Sequence, residues 1–263
     1  MKILHVEIER NGAAAEVHFN GWPLHHCRKD SLIRIAHAAE EFAVSGENTL
    51  SLWVEPNPLP THWRDPHDGI TPADAWVTAR VTAYPPGVFP EPENGEVLAT
   101  VSWRHGAGSS RFPAASSVEF QRTGPRWSWE AAPILTMSPE LVAEATHVLM
   151  TLQRAFERQD LDLLMRTITI KIHDAMRAYP ALTMTYIRDA LQQYLAALQK
   201  SPGGPSEPLR PEAHAMRLIA GGRVLECLDA DFSPSLRLHD EDGDRLPYPV
   251  RLARVEGRLQ VVR

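Results

Sequence analysis

All seven tryptophans of this chain fall between Trp22 and Trp129, while six of its seven methionines, all but Met1, lie from Met137 onward. An aromatic-rich segment followed by a methionine-rich one reads as two hydrophobic cores, with the seam near Ala131 to Pro139. At 263 residues each half is long enough to bury a core of its own, so the expected domains are residues 1–133 and 138–263.

Nothing in the sequence calls for a covalent staple. Cys27 and Cys227 lie in different halves, outside any C-x-x-C or Cys/His cluster, and read as reduced thiols of a cytoplasmic protein. The N-terminal run Met-Lys-Ile-Leu-His-Val-Glu lacks the apolar stretch of a secretion signal, and no segment approaches the ~18 apolar residues of a membrane span, so no membrane partner is expected. The net charge is −6, with 11 Lys and Arg against 16 Asp and Glu in residues 1–133. Direct nucleic-acid binding needs a basic surface and is disfavoured.

The first half reads as short strands. Ile3, Val6 and Ile8 start one, Val17 and Phe19 run into an Asn20-Gly21 hairpin turn, and Leu50, Leu52 and Val54 alternate on another. Trp76–Tyr84, Val97–Trp103 and Val118–Gln121 follow, giving the pattern of an antiparallel β-sandwich. One interruption is expected: Leu32, Ile35, Ala39 and Phe42 recur at helical spacing and predict a short helix over 31–42. The Pro-rich connections 55–74 and 85–95 are long, and long loops on a rigid sheet tend to carry binding surfaces. The order Val17-His18-Phe19-Asn20-Gly21-Trp22-Pro23-Leu24, Phe42, then Gly46-Glu47-Asn48-Thr49-Leu50-Ser51-Leu52 resembles jelly-roll domains of glycoside hydrolases and carbohydrate-binding modules. In those domains the Asn-Gly turn and the Gly-x-Asn corner serve the fold.

The second half opens with Ser138 as N-cap, Pro139 at the first helical position and Glu140 in the first turn. Leu141, Ala145, Val148, Leu152 and Ala155 form one apolar stripe. A second helix is expected from about Asp160 through Ala175, with Leu161, Leu164, Ile168 and Ile172, and a third behind Thr183, striped by Met184, Ile187, Leu191, Tyr194 and Leu198. Strands follow: 214–219 and 224–228 about Gly221-Gly222, 235–238 and 248–255 about an Asp-rich turn, and 259–262. Three helices on a bent antiparallel sheet is an α+β order. Arg154-Ala155-Phe156-Glu157-Arg158-Gln159-Asp160-Leu161-Asp162-Leu163-Leu164 and Val255-Glu256-Gly257-Arg258-Leu259-Gln260-Val261 resemble the helix pair and terminal hairpin of the NTF2-like (cystatin-like) superfamily, although Leu259 stands where the family usually has Trp. That resemblance implies an acid or base inside the cone, for which Tyr186, Asp189, His214, Asp229 and Asp231 are the candidates.

No nucleophile, base and orienting group assemble from motif spacing, so no catalytic residue and no cofactor are assigned. His239-Asp240-Glu241-Asp242-Gly243-Asp244 suggests calcium, but an EF-type loop needs Gly at its sixth position and Glu at its twelfth, where Arg245 and Arg251 stand. An Asp-Gly hairpin turn accounts for the run without metal. His25-His26-Cys27 and the histidines between His62 and His67 lack zinc-ligand spacing.

An acidic, motif-free, two-domain chain resembles in type the bacterial immunity proteins that neutralise toxins delivered by type VI secretion. That resemblance implies a non-enzymatic interaction protein whose partner is a cognate toxin, a basic nuclease being the class that suits the charge. Exposed residues the fold does not need would make the contact: His62, Trp63 and Asp65 in the Pro-rich loop, and Asp240, Glu241, Asp242 and Asp244 in the hairpin turn. Two other readings stay open, a small-ligand binder or enzyme using the NTF2-like pocket and a carbohydrate-recognition module.

Overall fold

A computed structural model describes residues 2–27, 33–55, 74–87, 90–91, 94–106, 114–202, 204–231 and 233–263. The chain divides into two compact units, Met1–Arg126 and Trp127–Arg263. No helix among the described residues is long and apolar enough to cross a membrane.

The first unit is built of strands: β1 (Ile3–Asn11), β2 (Ala15–Phe19), β3 (Trp22–Cys27), β4 (Ile33–Ala38), β5 (Gly46–Val54), β6 (Trp76–Tyr84), β7 (Glu96–Arg104) and β8 (Ala114–Arg122). They form two four-stranded antiparallel sheets, β4-β1-β6-β7 and β3-β2-β5-β8. Alternation sets the faces. In the first sheet Val6 lies opposite Val81 and Ile8 opposite Ala79, all buried. In the second, Val17 faces Leu52 and Phe19 faces Leu50, and the Phe19 and Phe120 rings stack at 5.9 Å between centroids. Burying side chains of this size contributes about 1.5–3 kcal/mol each. Trp53 on β5 is 44 % exposed, so this tryptophan lies outside the core.

The corner that joins β2, β3 and β5 is polar and fully satisfied. Asn20 takes a left-handed conformation (φ 51°) ahead of Gly21 (φ 75°), as a two-residue hairpin requires. Its amide donates to Phe42 O and Asn48 Oδ1, both at 2.8 Å, and its Oδ1 accepts from Thr49 N at 2.8 Å. Asn48, with no exposed surface, accepts from Val44 N and donates to Val44 O and Gly46 O.

The helix expected over 31–42 is not formed. Ile33–Ala38 is strand β4, paired antiparallel with β1 from Arg10↔Ile33 to His5↔Ala38, and only Glu40–Phe42 makes a helical turn, of 3₁₀ type. A helix here would leave the outer edge of β1 without hydrogen-bond partners, and the ladder outweighs a local 3.6-residue repeat. Phe42 still turns inward, 5.3 Å from the Trp22 ring, and buried Glu40 accepts from Leu4 N at 3.1 Å while pairing with Arg122.

The second unit carries helices α1 (Pro139–Glu157), α2 (Leu161–Thr167), α3 (Thr169–Ala178) and α4 (Met184–Leu198). Ser138, Asp160 and Thr183 cap α1, α2 and α4 by accepting from Leu141 N, Leu163 N and Tyr186 N. Four helices stand where three were expected, because the second breaks at Ile168 (φ −104°, ψ 19°). The hydroxyls of Thr167 and Thr169 bond back to Leu163 O and Met165 O, a pattern that bends helices. Leu164, Ile168 and Ile172 all face the core across the break.

Strands β9 (Arg217–Ile219), β10 (Val224–Glu226), β13 (Arg251–Val255) and β14 (Arg258–Val261) make a sheet in the order β14-β13-β10-β9, while β11 (Leu236–His239) and β12 (Arg245–Tyr248) form a separate ribbon. The single strand expected over 248–255 is thus two. Pro249 has no N–H to continue a ladder, so Tyr248 ends the ribbon opposite Leu236 and Leu252 joins the sheet opposite Leu225. Helices, sheet and ribbon bury a shared core that includes Leu149, Leu152, Phe156, Leu195, Leu238 and Val261.

The segment before α1 belongs to this unit. Ser128 donates from N and Oγ to the buried Asp174, Leu135 N donates to Gly222 O, and the Arg263 guanidinium lies 5.7 Å over the Trp127 ring. Trp127 and Trp129 therefore serve the methionine-rich unit, and the division falls ahead of the seam read from composition.

Asn48→Ala removes four hydrogen bonds and orphans buried groups worth about 1–3 kcal/mol each. The expected loss is about 3 kcal/mol of unfolding free energy. Urea unfolding followed by tryptophan fluorescence measures it, and Asn48→Asp, which sets a buried carboxylate against Val44 O and Gly46 O, should lose at least as much.

Candidate functional site

Beyond β10 the chain makes a tight turn, with Asp229 N donating to Ser233 O at 3.0 Å and Ser235 N to Cys227 O at 3.2 Å. The turn is held by Asp231, whose carboxylate accepts from Ser233 N and Oγ. It returns the chain as β11 and brings Arg237 beside Asp229. Arg237, 2 % exposed, donates from Nη2 to Asp229 Oδ2 and, at 2.7 Å, to Ser233 Oγ. Its Nη1 lies 3.5 Å from Glu207 and its Nη2 3.7 Å from Asp231. Arg210 reaches Asp229 Oδ2 at 3.3 Å from the surface, and Glu207 also pairs with Arg245 and lies 3.7 Å from His239.

His214 joins this cluster through an antiparallel bridge to Asp229. The Thr146 hydroxyl donates to Val142 O at 2.8 Å, so it accepts from His214 Nδ1 at 3.2 Å and assigns the proton to that nitrogen. His214 Nε2 and Asp229 Oδ1 are buried without a hydrogen-bond partner. Burial holds the His214 pKa below its ordinary 6.5, against the opposite pull of Asp229 and Glu212. The arrangement is neutralised from within: Asp229 Oδ2 is committed to two guanidinium groups and Arg237 to carboxylates.

Three of the five pocket residues read from sequence, His214, Asp229 and Asp231, thus meet in one cluster. Tyr186 and Asp189 do not, for both are exposed on α4, Tyr186 at 62 %. The apolar stripe of α4 through Leu191, Leu195 and Leu198 faces the core and turns 186 and 189 outward. Arg237, Glu207 and Arg210 were missed by sequence reading. Arg237 lies between Leu236 and Leu238 in a short strand buried on both faces, so alternation gave no sign that its side chain points inward.

Of the surface residues, Asp240 is absorbed by its own turn: Oδ1 accepts from Asp242 N at 3.1 Å and Asp244 N at 2.8 Å, with Gly243 at φ 83°. Glu241 lies 3.6 Å from Lys200, and Asp242 and Asp244 are exposed. His62, Trp63 and Asp65 lie outside the described residues. Among the described residues no three His, Cys, Asp or Glu side chains converge on a common metal position. Cys227 is buried, and burial pushes its thiol far above its ordinary pKa, which suits packing and not nucleophilic attack.

An open groove of about 800 Å³ runs along the outer face of α1. Met137, Pro139, Val142, Ala143 and Met150 line it with Pro211, and Thr146 and His147 supply its polar atoms. Met137 is 41 % exposed and Met150 47 %. The residues repeat at three- and four-residue spacing on the side of α1 away from Leu141, Ala145, Leu149 and Leu152. In the sequence this second stripe is weaker than the core-facing one, because Thr146 and His147 interrupt it. Thr146 connects the groove to the buried cluster through His214.

No protein-family model matches the chain, and no curated protein and no solved structure matches it.

Removing one partner of a buried pair leaves an uncompensated charge, so Asp229→Ala and Arg237→Ala should each cost about 3–5 kcal/mol of stability. The double variant Asp229→Ala with Arg237→Ala should cost less than the sum of the two single losses in chemical denaturation; strictly additive losses would show that the two are not coupled.

His214 supplies a second test. Its folded pKa is depressed, so the unfolded chain takes the proton first; the stabilisation is present above about pH 6.5 and lost as the pH falls below it. His214→Gln should flatten the decline of thermal stability on acidification relative to the parent protein.

Proposed function

We propose that this chain is a non-enzymatic interaction protein acting by direct binding of a protein partner, of the type that neutralises a cognate bacterial toxin delivered by type VI secretion. The observation that carries the reading is the groove on α1, where flexible methionines and prolines stand exposed beside a buried polar cluster whose charges are already paired. Exposed methionine adapts to a partner's shape at modest energetic cost, and a contiguous apolar groove of this size is a common anchor for a side chain or helix. Acidic residues flank it: Glu140 follows Pro139 and Glu212 follows Pro211, and both are exposed. With the net charge of −6 and the exposed Asp242 and Asp244, they favour a basic partner such as a nuclease.

The finer fold readings, a jelly-roll β-sandwich for the first unit and an NTF2-like cone for the second, are part of this proposal. They are supported by the two four-stranded sheets and by the helices that share a core with an antiparallel sheet. In the second unit we place recognition on the outside of α1 and not inside a cone, since Tyr186 and Asp189 face solvent.

Binding kinetics against the product of the adjacent gene, at low and high salt, test the proposal. Met150→Asp should speed dissociation about tenfold or more with only the small loss of stability that a poorer helix former brings, because Met150 lies in the groove and outside the core. Charge reversal at Asp242 and Asp244 should slow association and weaken its salt dependence. Parental kinetics in both variants would remove these surfaces from the interface, and the absence of any complex with a neighbouring product would count against the toxin-neutralising reading.

A further inference from the structure

Strands β3 and β4 are edge strands of different sheets in the first unit, and each presents a histidine to the space between the sheets. His25 pairs in register with Val17, and His37 with Val6; both valines are fully buried on the inner faces. Cross-strand partners share a face, so the two imidazoles enter the gap from opposite sheets. They meet there: His25 Nδ1 and His37 Nε2 lie 3.1 Å apart, with ring centroids 5.0 Å apart and planes inclined by 41°.

We propose that His25 and His37 form a two-imidazole site for a divalent transition metal ion of the zinc and copper class, clipping the edge of one sheet to the edge of the other. Imidazole nitrogens bind such ions at about 2.0–2.1 Å, which sets two ligands on one ion about 3.3 Å apart at the tetrahedral angle and about 2.9 Å apart at a right angle. The observed 3.1 Å falls between those values, so an ion that replaces the shared proton keeps the nitrogen separation within a few tenths of an ångström while both rings turn their lone pairs toward it. Water completes the coordination. Burial of His37 favours its neutral form, the form that has a lone pair to give. Sequence spacing concealed the site because His25 and His37 lie on strands of different sheets.

The test uses the full chain without an affinity tag, titrated with zinc chloride or copper sulfate by calorimetry and followed by thermal unfolding. One ion per chain and a raised unfolding temperature are expected, since an ion held by the folded state alone stabilises it. His25→Asn and His37→Asn should each weaken binding about tenfold or more and remove the thermal shift. Because either variant could also disturb the sheet edges, electron paramagnetic resonance of the copper-loaded parent protein provides the second measurement, and two imidazole nitrogens on the ion are expected. Binding that survives both substitutions, an ion carrying fewer than two imidazoles, or the absence of binding would each overturn the proposal and leave the pair as a hydrogen bond between neutral rings.

Discussion

Arg237 is the constraint around which the second unit is arranged. A guanidinium group removed from water is tolerated only when carboxylates and hydroxyls meet it, and here they come from three places: Glu207 before the helical turn at 211–213, Asp229 and Ser233 in the turn after β10, and Asp231 at the tip of that turn. Satisfying one side chain therefore draws the segment at Glu207 and the turn 229–233 together against β11. The bridge from Asp229 to His214 then sets that histidine against α1. Thr146, on α1, lies both in the open groove and against His214, so the buried charge cluster also sets the floor of the candidate binding surface.

What could be read from the sequence was what neighbouring residues decide. Ser138 with Pro139, and Thr183, mark helix starts through bonds that span three residues, and Asn20-Gly21 marks a turn through its own backbone preference. What could not be read was decided from further away. Residues 31–42 carry two repeats at once, Leu32, Ile35, Ala39 and Phe42 at helical spacing and Ile33, Ile35 and His37 at strand spacing, and the unpaired edge of β1 selects the second. The break at Ile168 is the exception, a local one: Thr167 and Thr169 bond back four residues, but the apolar repeat Leu164, Ile168 and Ile172 runs through it without interruption. Asp229 stands among the candidates that the NTF2-like resemblance implies, but its meaning depends on Arg210 and Arg237, residues that short-range pattern cannot connect to it.

The same distinction separates the polar groups that are built in from those that are available. In this chain acidic side chains are often structural: Glu40 holds Leu4 and Arg122, Asp174 holds Ser128, Glu226 pairs with Arg217 and Arg251, and Asp240 closes its own turn. A count of acids therefore overstates the charge free to meet a partner. The exposed remainder, with the apolar side of α1, is a surface the fold does not consume, and that surface is where recognition by direct binding can act.

The Asn20-Gly21 corner carries a chemical consequence as well as a mechanical one. In a flexible chain the amide of an asparagine followed by glycine is open to attack by the next backbone nitrogen, which turns the side chain into an acid. Here that side chain is held at both ends, its nitrogen by Phe42 O and Asn48 Oδ1 and its oxygen by Thr49 N, so it is not free to swing onto the next backbone nitrogen. Were the conversion to occur, an anion would face two oxygen acceptors at the junction of three strands. The fold thus protects the residue on which its own corner depends, while the exposed Asn94, also followed by glycine, has no such corner around it.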